Sequence, residues 1–387
     1  MDYLLTEEQK MVRELSRKIA EEKIKPVAAK YDQTEEYPWD MIKVIADAGL
    51  FGLFIPEEYG GMTVSVLNLC IATEELSRAC GGIAVCYAAS ALGTFPILLF
   101  GTQEQKKKYL PDLASGKKIA AFGITEPEAG SDASAIKTTA KKEGDCYILN
   151  GLKHFITNGG DAQIYVVIVM TDKTRGARGA SAFIVEKGTP GFSFGKKEEK
   201  LGIRASSTRE LIFTDCKIPK ENLLSKEGMG FIVTMKTFDM SRPGVAAQAV
   251  GIAQGAVEVA VKYAKERHQF GKSISSFQGI QWMLADMATQ VEAARALVYS
   301  VARYIDRSEN PKEISKVSGM TKVFASDVAM RVTTDAVQIF GGYGYMREYP
   351  VEKMMRDAKI LQIYEGTNQI QRNVIGQELI KEYAGKR

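Results

Sequence analysis

Cys146-Tyr147-Ile148-Leu149-Asn150-Gly151-Leu152-Lys153-His154-Phe155-Ile156-Thr157 is the stretch that decides the fold of this chain. Aromatic and apolar residues flank Asn-Gly, the dipeptide best suited to two left-handed positions in a row, so the sequence predicts a β-hairpin with a type I′ turn. Further strands are expected at Ile164 to Met170, Ala182 to Glu186 and Leu211 to Ile218, between turns rich in Gly, Pro and Lys. Outside residues 121 to 230 the period becomes helical. Upstream, Thr6-x-x-Gln9 forms a capping box followed by Val12, Leu15 and Ile19, and the same spacing recurs through Trp39 to Ala48, Val66 to Ala79 and Gln103 to Leu113. Pro56 and Gly60-Gly61 mark a loop. Downstream, Val245 to Lys265, Gln278 to Asp306 and Glu313 to Phe340 are each long enough for an antiparallel four-helix bundle. The expected fold is α+β and mostly α. It has an N-terminal helical domain at 1–120, a small middle β-barrel or sandwich at 121–230, and a C-terminal bundle at 231–387.

Composition narrows the function classes. With 51 basic against 47 acidic side chains the charges nearly cancel, which disfavours a general nucleic-acid binder. The Lys106-Lys107-Lys108 run and the Lys196 to Lys200 segment read as solvated faces. Five cysteines without a C-x-x-C pair leave an odd thiol, which fits a reducing compartment, and two histidines give a metal site almost no material. No basic segment followed by an apolar stretch opens the chain, and apolar strings such as Ile164 to Met170 are too short for a bilayer, so a cytoplasmic protein without membrane insertion is expected.

Two motifs fail on context. Gly191-Phe192-Ser193-Phe194-Gly195 matches a hydrolase nucleophile elbow, but Thr189-Pro190 precedes it and a charged run follows, where a strand and a helix are needed. Gly271-Lys272-Ser273 resembles the end of a phosphate loop, but Glu266 occupies the place of its first glycine.

The strongest chemical signal lies in Ile363-Tyr364-Glu365-Gly366-Thr367-Asn368-Gln369-Ile370-Gln371-Arg372, after the cluster Gly341-Gly342-Tyr343-Gly344-Tyr345. An aromatic neighbour limits hydration of the Glu365 carboxylate and raises its pKa, suiting it to act as a base near neutral pH. Gly366 has no Cβ, so a ligand can approach the backbone.

Four segments, in order, resemble the acyl-CoA dehydrogenase family. Ala121-Phe122-Gly123-Ile124-Thr125-Glu126-Pro127-Glu128-Ala129-Gly130-Ser131-Asp132 is similar to the opening of its β domain. The resemblance implies that Phe122, Ile124 and Thr125 line a flavin and that Ser131 lies where substrate and cofactor meet. Lys153-His154-Phe155-Ile156-Thr157-Asn158-Gly159 resembles the segment that packs an aromatic ring, here Phe155, by the isoalloxazine and aims a hydroxyl, here Thr157, at its reactive nitrogen. Tryptophan is commoner in the place of Phe155. Phe238-Asp239-Met240-Ser241-Arg242 resembles the coenzyme A site, with Phe238 an apolar wall and Asp239 and Arg242 polar contacts. Some relatives carry their catalytic glutamate just before this arginine; here Ser241 stands there, which leaves Glu365 alone in the role. Arg267-His268-Gln269-Phe270-Gly271, with Gln278, Gln338, Gly341 and Gly342, resembles the contacts that one subunit makes to FAD held mainly by another. Thr367 and Gln369 are expected beside FAD, and Tyr364 and Gly366 beside the substrate.

The resemblance implies an FAD-dependent acyl-CoA dehydrogenase that forms an enoyl-CoA, works as a homo-oligomer, expected to be a tetramer, and passes electrons to electron-transferring flavoprotein. The segment Cys86 to Gly93 would line the acyl end; being uncharged, it disfavours a dicarboxylic acyl group and leaves short straight, branched and alicyclic ones open. A hydrolase or thioesterase using Ser193 with His268, or a non-catalytic acyl-CoA-binding protein, are the competing readings. The first predicts no bound flavin, and the second predicts no bleaching of flavin by substrate.

Overall fold

The structure, a computed structural model, describes residues 3–308 and 311–384. Its first part is helical: α1 (Glu7–Ile19), α2 (Ala28–Thr34), α3 (Trp39–Asp47), α4 (Val66–Ala79), α5 (Gly81–Phe100) and α6 (Gln103–Ala114). The capping box forms as predicted, with the Thr6 side chain accepting from the Gln9 backbone and Gln9 reaching back. Strands then follow as β1 (Ala120–Gly123), β2 (Thr139–Glu143), β3 (Cys146–Thr157), β4 (Ile164–Met170), β5 (Ala180–Glu186), β6 (Phe192–Lys197), β7 (Thr208–Pro219) and β8 (Leu223–Leu224). They make one eight-stranded sheet in the order β6-β7-β3-β2-β4-β5-β8, with β1 pairing parallel to β4. The last part holds α7 (Gly230–Glu266), the small hairpin β9 (His268–Gln269) and β10 (Lys272–Ser273), α8 (Gln278–Arg307), α9 (Pro311–Phe340), α10 (Pro350–Lys359) and α11 (Asn368–Ala384). The predicted succession of helices, sheet and helical bundle is therefore the observed one.

The hairpin expected at Asn150-Gly151 does not form. β3 runs straight through that dipeptide, with a shift of register against β7 between Leu149 and Gly151. The Asn150 side chain bonds across to Asp215, accepting from its backbone N–H at 2.8 Å and donating to its carboxylate at 3.0 Å. Asn-Gly thus makes a bulge, where the extra left-handed freedom is used inside a strand. The tight turn lies six residues earlier, at Gly144-Asp145, where Glu143 pairs with Cys146 across β2 and β3.

Helix α7 also starts earlier than predicted and continues through Pro243. Proline has no N–H, so the Asp239 carbonyl loses its helical donor. The Ser318 hydroxyl of α9 donates to that carbonyl at 3.0 Å instead. Both α5 and α7 are apolar and long enough to cross a bilayer, unlike the short strings weighed above. Each has 78% of its apolar window buried inside the fold, as core helices do.

One contact positions the site. A Cβ built on Gly93 of α5 would lie 2.6 Å from the Ala121 backbone nitrogen and 2.8 Å from the Ala120 Cβ. Only glycine lets α5 lie directly on β1, and this brings the first flavin-like segment against the helix predicted to form the acyl pocket.

Candidate active site

A cavity of about 110 Å³ lies where the three parts of the chain meet. The end of β1 and the turn after it bring Phe122, Ile124 and Thr125; the end of β3 brings Phe155 and Thr157; α7 brings Phe238 and Ser241; and the turn before α11 brings Tyr364 and Glu365. Phe122 and Phe238 meet edge to face with centroids 5.7 Å apart. A second shift of register between β3 and β7 falls between Lys153 and Ile156 and puts Phe155 at a φ of 57°. This bulge turns the ring outward, 60% exposed, and the His154 ring stacks on it at 3.8 Å. Beneath the Ile124-Thr125 turn, the buried Lys153 ammonium donates to the Ile124 carbonyl at 3.2 Å and to Glu126 at 2.6 Å. Glu126 also accepts the backbone N–H groups of Lys137 and Thr138. Burial pushes this carboxyl up, but Lys153 and the hydrogen bonds outweigh it and hold Glu126 below its ordinary value.

Glu365 is the carboxylate of the cavity. The Ser241 hydroxyl donates to its Oε2 at 2.5 Å. Its backbone carbonyl accepts from Arg242 Nε at 3.3 Å and from the Gln371 amide at 3.1 Å. Burial pushes the Glu365 carboxyl above its ordinary value, against the opposing pull of the Ser241 hydroxyl and the Arg242 and Lys322 charges. A carboxylate so placed can take a proton near neutral pH. Glu365 and Gly366 have φ of 51° and 92°. The left-handed conformation at a non-glycine residue costs about 1 kcal/mol or more, so the neighbours that pin this turn hold it in place. Next to it, the Tyr364 hydroxyl donates to Gln248 Oε1, and the Gln248 amide donates to the Gly81 carbonyl.

The apolar end is formed by Val85, Ala88, Ala89, Leu92 and Phe95 of α5 with Leu69 of α4. This corrects the expected acyl segment in detail. Tyr87 turns away and donates to the Leu50 carbonyl, Ser90 accepts the Ala120 N–H, and Cys86 faces the Gly82 carbonyl. No basic side chain lines the cavity among the described residues.

A second, more open cavity of about 850 Å³ lies elsewhere on the bundle, and Arg267, Phe270, Gly341, Gly342 and Tyr343 line it. Phe270 sits at the tip of the β9–β10 hairpin, 92% exposed, and the Arg267 guanidinium lies over the Tyr343 ring at 5.2 Å. A Cβ on Gly341 or Gly342 would meet nothing within 4 Å, so the backbone there is open to a ligand.

This arrangement agrees with comparisons to known proteins. Residues 6–117, 121–216 and 228–380 match the N-terminal, middle and C-terminal domains of acyl-CoA dehydrogenases. The chain belongs to the acyl-CoA dehydrogenase family. It is 51% identical over 382 residues to the short-chain specific acyl-CoA dehydrogenase of Clostridium acetobutylicum, over 98% of this chain and 100% of that relative. Butyryl-CoA dehydrogenase from Megasphaera elsdenii has a TM-score of 0.95 and 49% identity, over 98% of this chain and 100% of that one. A chain solved in work on the electron transferring flavoprotein of Acidaminococcus fermentans and flavin-based electron bifurcation has a TM-score of 0.96 and 54% identity, again over 98% and 100%.

Acyl-CoA dehydrogenases are FAD-dependent oxidoreductases, and so is this chain. Its residues fit the cofactor: an outward aromatic ring and two threonines border the first cavity, and the second offers a guanidinium, an exposed ring and uncovered backbone. Family membership removes the hydrolase reading, and the fold agrees. Ser193 lies in the edge strand β6, paired with Ile212, while His268 lies in the β9–β10 hairpin.

Some expected residues fall outside both cavities. Ser131 is exposed in the loop before β2, Gln278 opens α8, Gln338 is exposed near the end of α9, and Thr367 and Gln369 flank the start of α11. Asp239 and Arg242 are buried. Asp239 accepts from Ser315 at 2.8 Å and lies 3.9 Å from Arg242, which turns towards the Glu365 carbonyl. Sequence reasoning missed Gln248 and Lys322 and gave Ser241 only a negative part. The signal for Lys322 was available: Ser318, Ala325, Ser326 and Ala329 share its helix face, and all are buried.

Proposed function

We propose that this chain dehydrogenates a short, uncharged acyl-CoA thioester to the α,β-enoyl-CoA, with Glu365 as the base that takes the α proton. The observation that carries this reading is the Glu365 carboxyl itself, raised by burial and facing the cavity opposite Phe122, Thr125 and Thr157. An α proton beside a thioester is only weakly acidic, so the charge that develops on the carbonyl oxygen needs donors. The Glu365 backbone N–H is the protein's donor, and two well-placed donors in a dry pocket contribute roughly 5 kcal/mol. FAD, when bound, supplies the acceptor for the β hydride. Ser241 keeps the carboxylate aimed into the pocket, Phe238 and Tyr364 exclude water, and Val85, Ala88, Ala89 and Leu92 take the acyl chain. Arg267 and Phe270 serve the FAD of a second copy, which makes a homo-oligomer, a tetramer in our reading, the working unit. Electrons leave for an electron-transferring flavoprotein, and the reaction takes place in the cytoplasm.

Glu365→Gln tests the base. The amide keeps the shape and cannot take the proton, so FAD and acyl-CoA binding should persist while turnover falls by at least about a hundredfold. Turnover within a few-fold of the parent reassigns the base.

A further inference from the structure

Lys322 of α9 is fully buried, which is unusual for a lysine and needs a reason. Its ammonium donates to the Gly366 carbonyl at 2.8 Å and to Asn368 Oδ1 at 2.8 Å. Asn368 is itself fixed, donating to Asp327 at 2.8 Å and to Ser326 at 2.9 Å. Asp327 is held in turn by Gln362 at 2.7 Å and by Arg372 at 2.6 Å. The Glu365–Gly366 turn therefore has two successive carbonyls clamped, the first by Arg242 and Gln371 and the second by Lys322 at 2.8 Å, with the Gln371 amide reaching it at 3.5 Å. Both residues have left-handed φ, and releasing either clamp frees the turn to relax.

We propose that Lys322 is a positioning residue for the dehydrogenation, tethering the Gly366 carbonyl so that the Glu365 carboxylate faces the pocket and supplying a positive charge that favours its ionised form. The inference rests on the reading of Glu365 as the base. A hydrogen-bonded amide would suffice as a tether, but a lysine adds charge in a dry site. Burial pushes the Lys322 ammonium down to about 7, while the Glu365 carboxylate pulls it back up. The charged groups that face it are Glu365 in the turn, Arg242 on α7, Asp327 on α9 and Arg372 on α11. The carboxylates favour its charge, and the two arginines oppose it.

The test compares Lys322→Met, Asn368→Ala and Glu365→Gln as FAD-loaded enzymes, with flavin reduction by butyryl-CoA followed anaerobically across pH. Lys322→Met should keep FAD and KM within a few-fold but lose about tenfold or more in reduction rate, because a small misplacement of the base suffices for that. Its acid limb should also move to higher pH by about one unit, since an opposite charge near the carboxylate has been removed. Asn368→Ala leaves the charge and removes one anchor, so it should slow reduction with a smaller shift of the limb; it decides the question if Lys322→Met does not fold. A parental rate and limb in a folded variant overturn the proposal. So does a rate loss that only follows lost FAD with the limb unmoved, which is what a merely structural lysine gives. If Glu365→Gln still reduces flavin at the parental rate, the reading of the base fails, independently of Lys322.

Discussion

Replacing Ser241 by alanine isolates what one hydroxyl does for Glu365. The bond to Oε2 is 2.5 Å long. A hydrogen bond to a charged partner contributes about 1.5 to 3 kcal/mol. At about 1.4 kcal/mol per pKa unit, its loss raises the Glu365 carboxyl by roughly 1 to 2 units beyond the elevation that burial already causes. The sign follows from the chemistry: the base works ionised, activity grows as pH rises through its pKa, and a higher pKa moves that limb to higher pH. Below both midpoints the variant should reduce its flavin about 10- to 100-fold more slowly than the parent. Above both, the rates should converge, or the variant should be slightly faster, because its carboxylate is the stronger base. Stopped-flow bleaching of the flavin by butyryl-CoA, from about pH 5 to about pH 9, reads both regimes. FAD content and acyl-CoA affinity serve as controls for folding, and Ser241→Thr should restore the limb. A limb that stays within a few tenths of a unit of the parent would refute the reasoning.

Two further outcomes test the rest of the site. Arg267→Ala should lower FAD occupancy, and dilution that dissociates the oligomer should release the cofactor; a monomer that keeps stoichiometric FAD, seen by light scattering with absorbance, contradicts the shared site. Butyryl-CoA should bleach the flavin at least about tenfold faster than glutaryl-CoA, because each buried CH₂ contributes about 0.8 kcal/mol whereas a terminal carboxylate would lose its hydration with no basic partner in the lining; anaerobic rates with the two thioesters decide this.

The large divisions of the chain were legible because period alone separates helix from strand, and Glu365, which lines the cavity, was singled out by its flanking tyrosine and glycine together with the motifs around it. What the sequence hid has physical causes. Asn150-Gly151 carries the same left-handed tolerance in a turn and in a bulge, and only the bonds to Asp215 distinguish them. Gly144-Asp145 is a weaker local turn signal than Asn-Gly, yet the β2–β3 pairing closes there. The acyl segment was read as a continuous lining, yet a helix presents a stripe. Val85, Ala88, Ala89 and Leu92 share one face, while Cys86, Tyr87 and Ser90 turn elsewhere. Because α5 is buried nearly all round, its composition has no polar side from which to choose that face. The role of Lys322 went unread because its carbonyl partner arrives from a turn 44 residues away, although its buried helix face was visible.

The missing side chain at Gly93 sets how this pocket can change. With the Ala121 nitrogen 2.6 Å from where a Cβ would stand, α5 can neither slide nor tilt on β1 without losing that contact. In the proposed reading, the acyl wall and the flavin wall are in effect one rigid part. New substrate ranges must then come from re-lining the pocket, by exchanging side chains at Val85, Ala88, Ala89 or Leu92, while the spacing between acyl chain and flavin stays constant. On that reading, selection and engineering alike can lengthen or shorten the accepted acyl chain without re-tuning the chemistry at the other end.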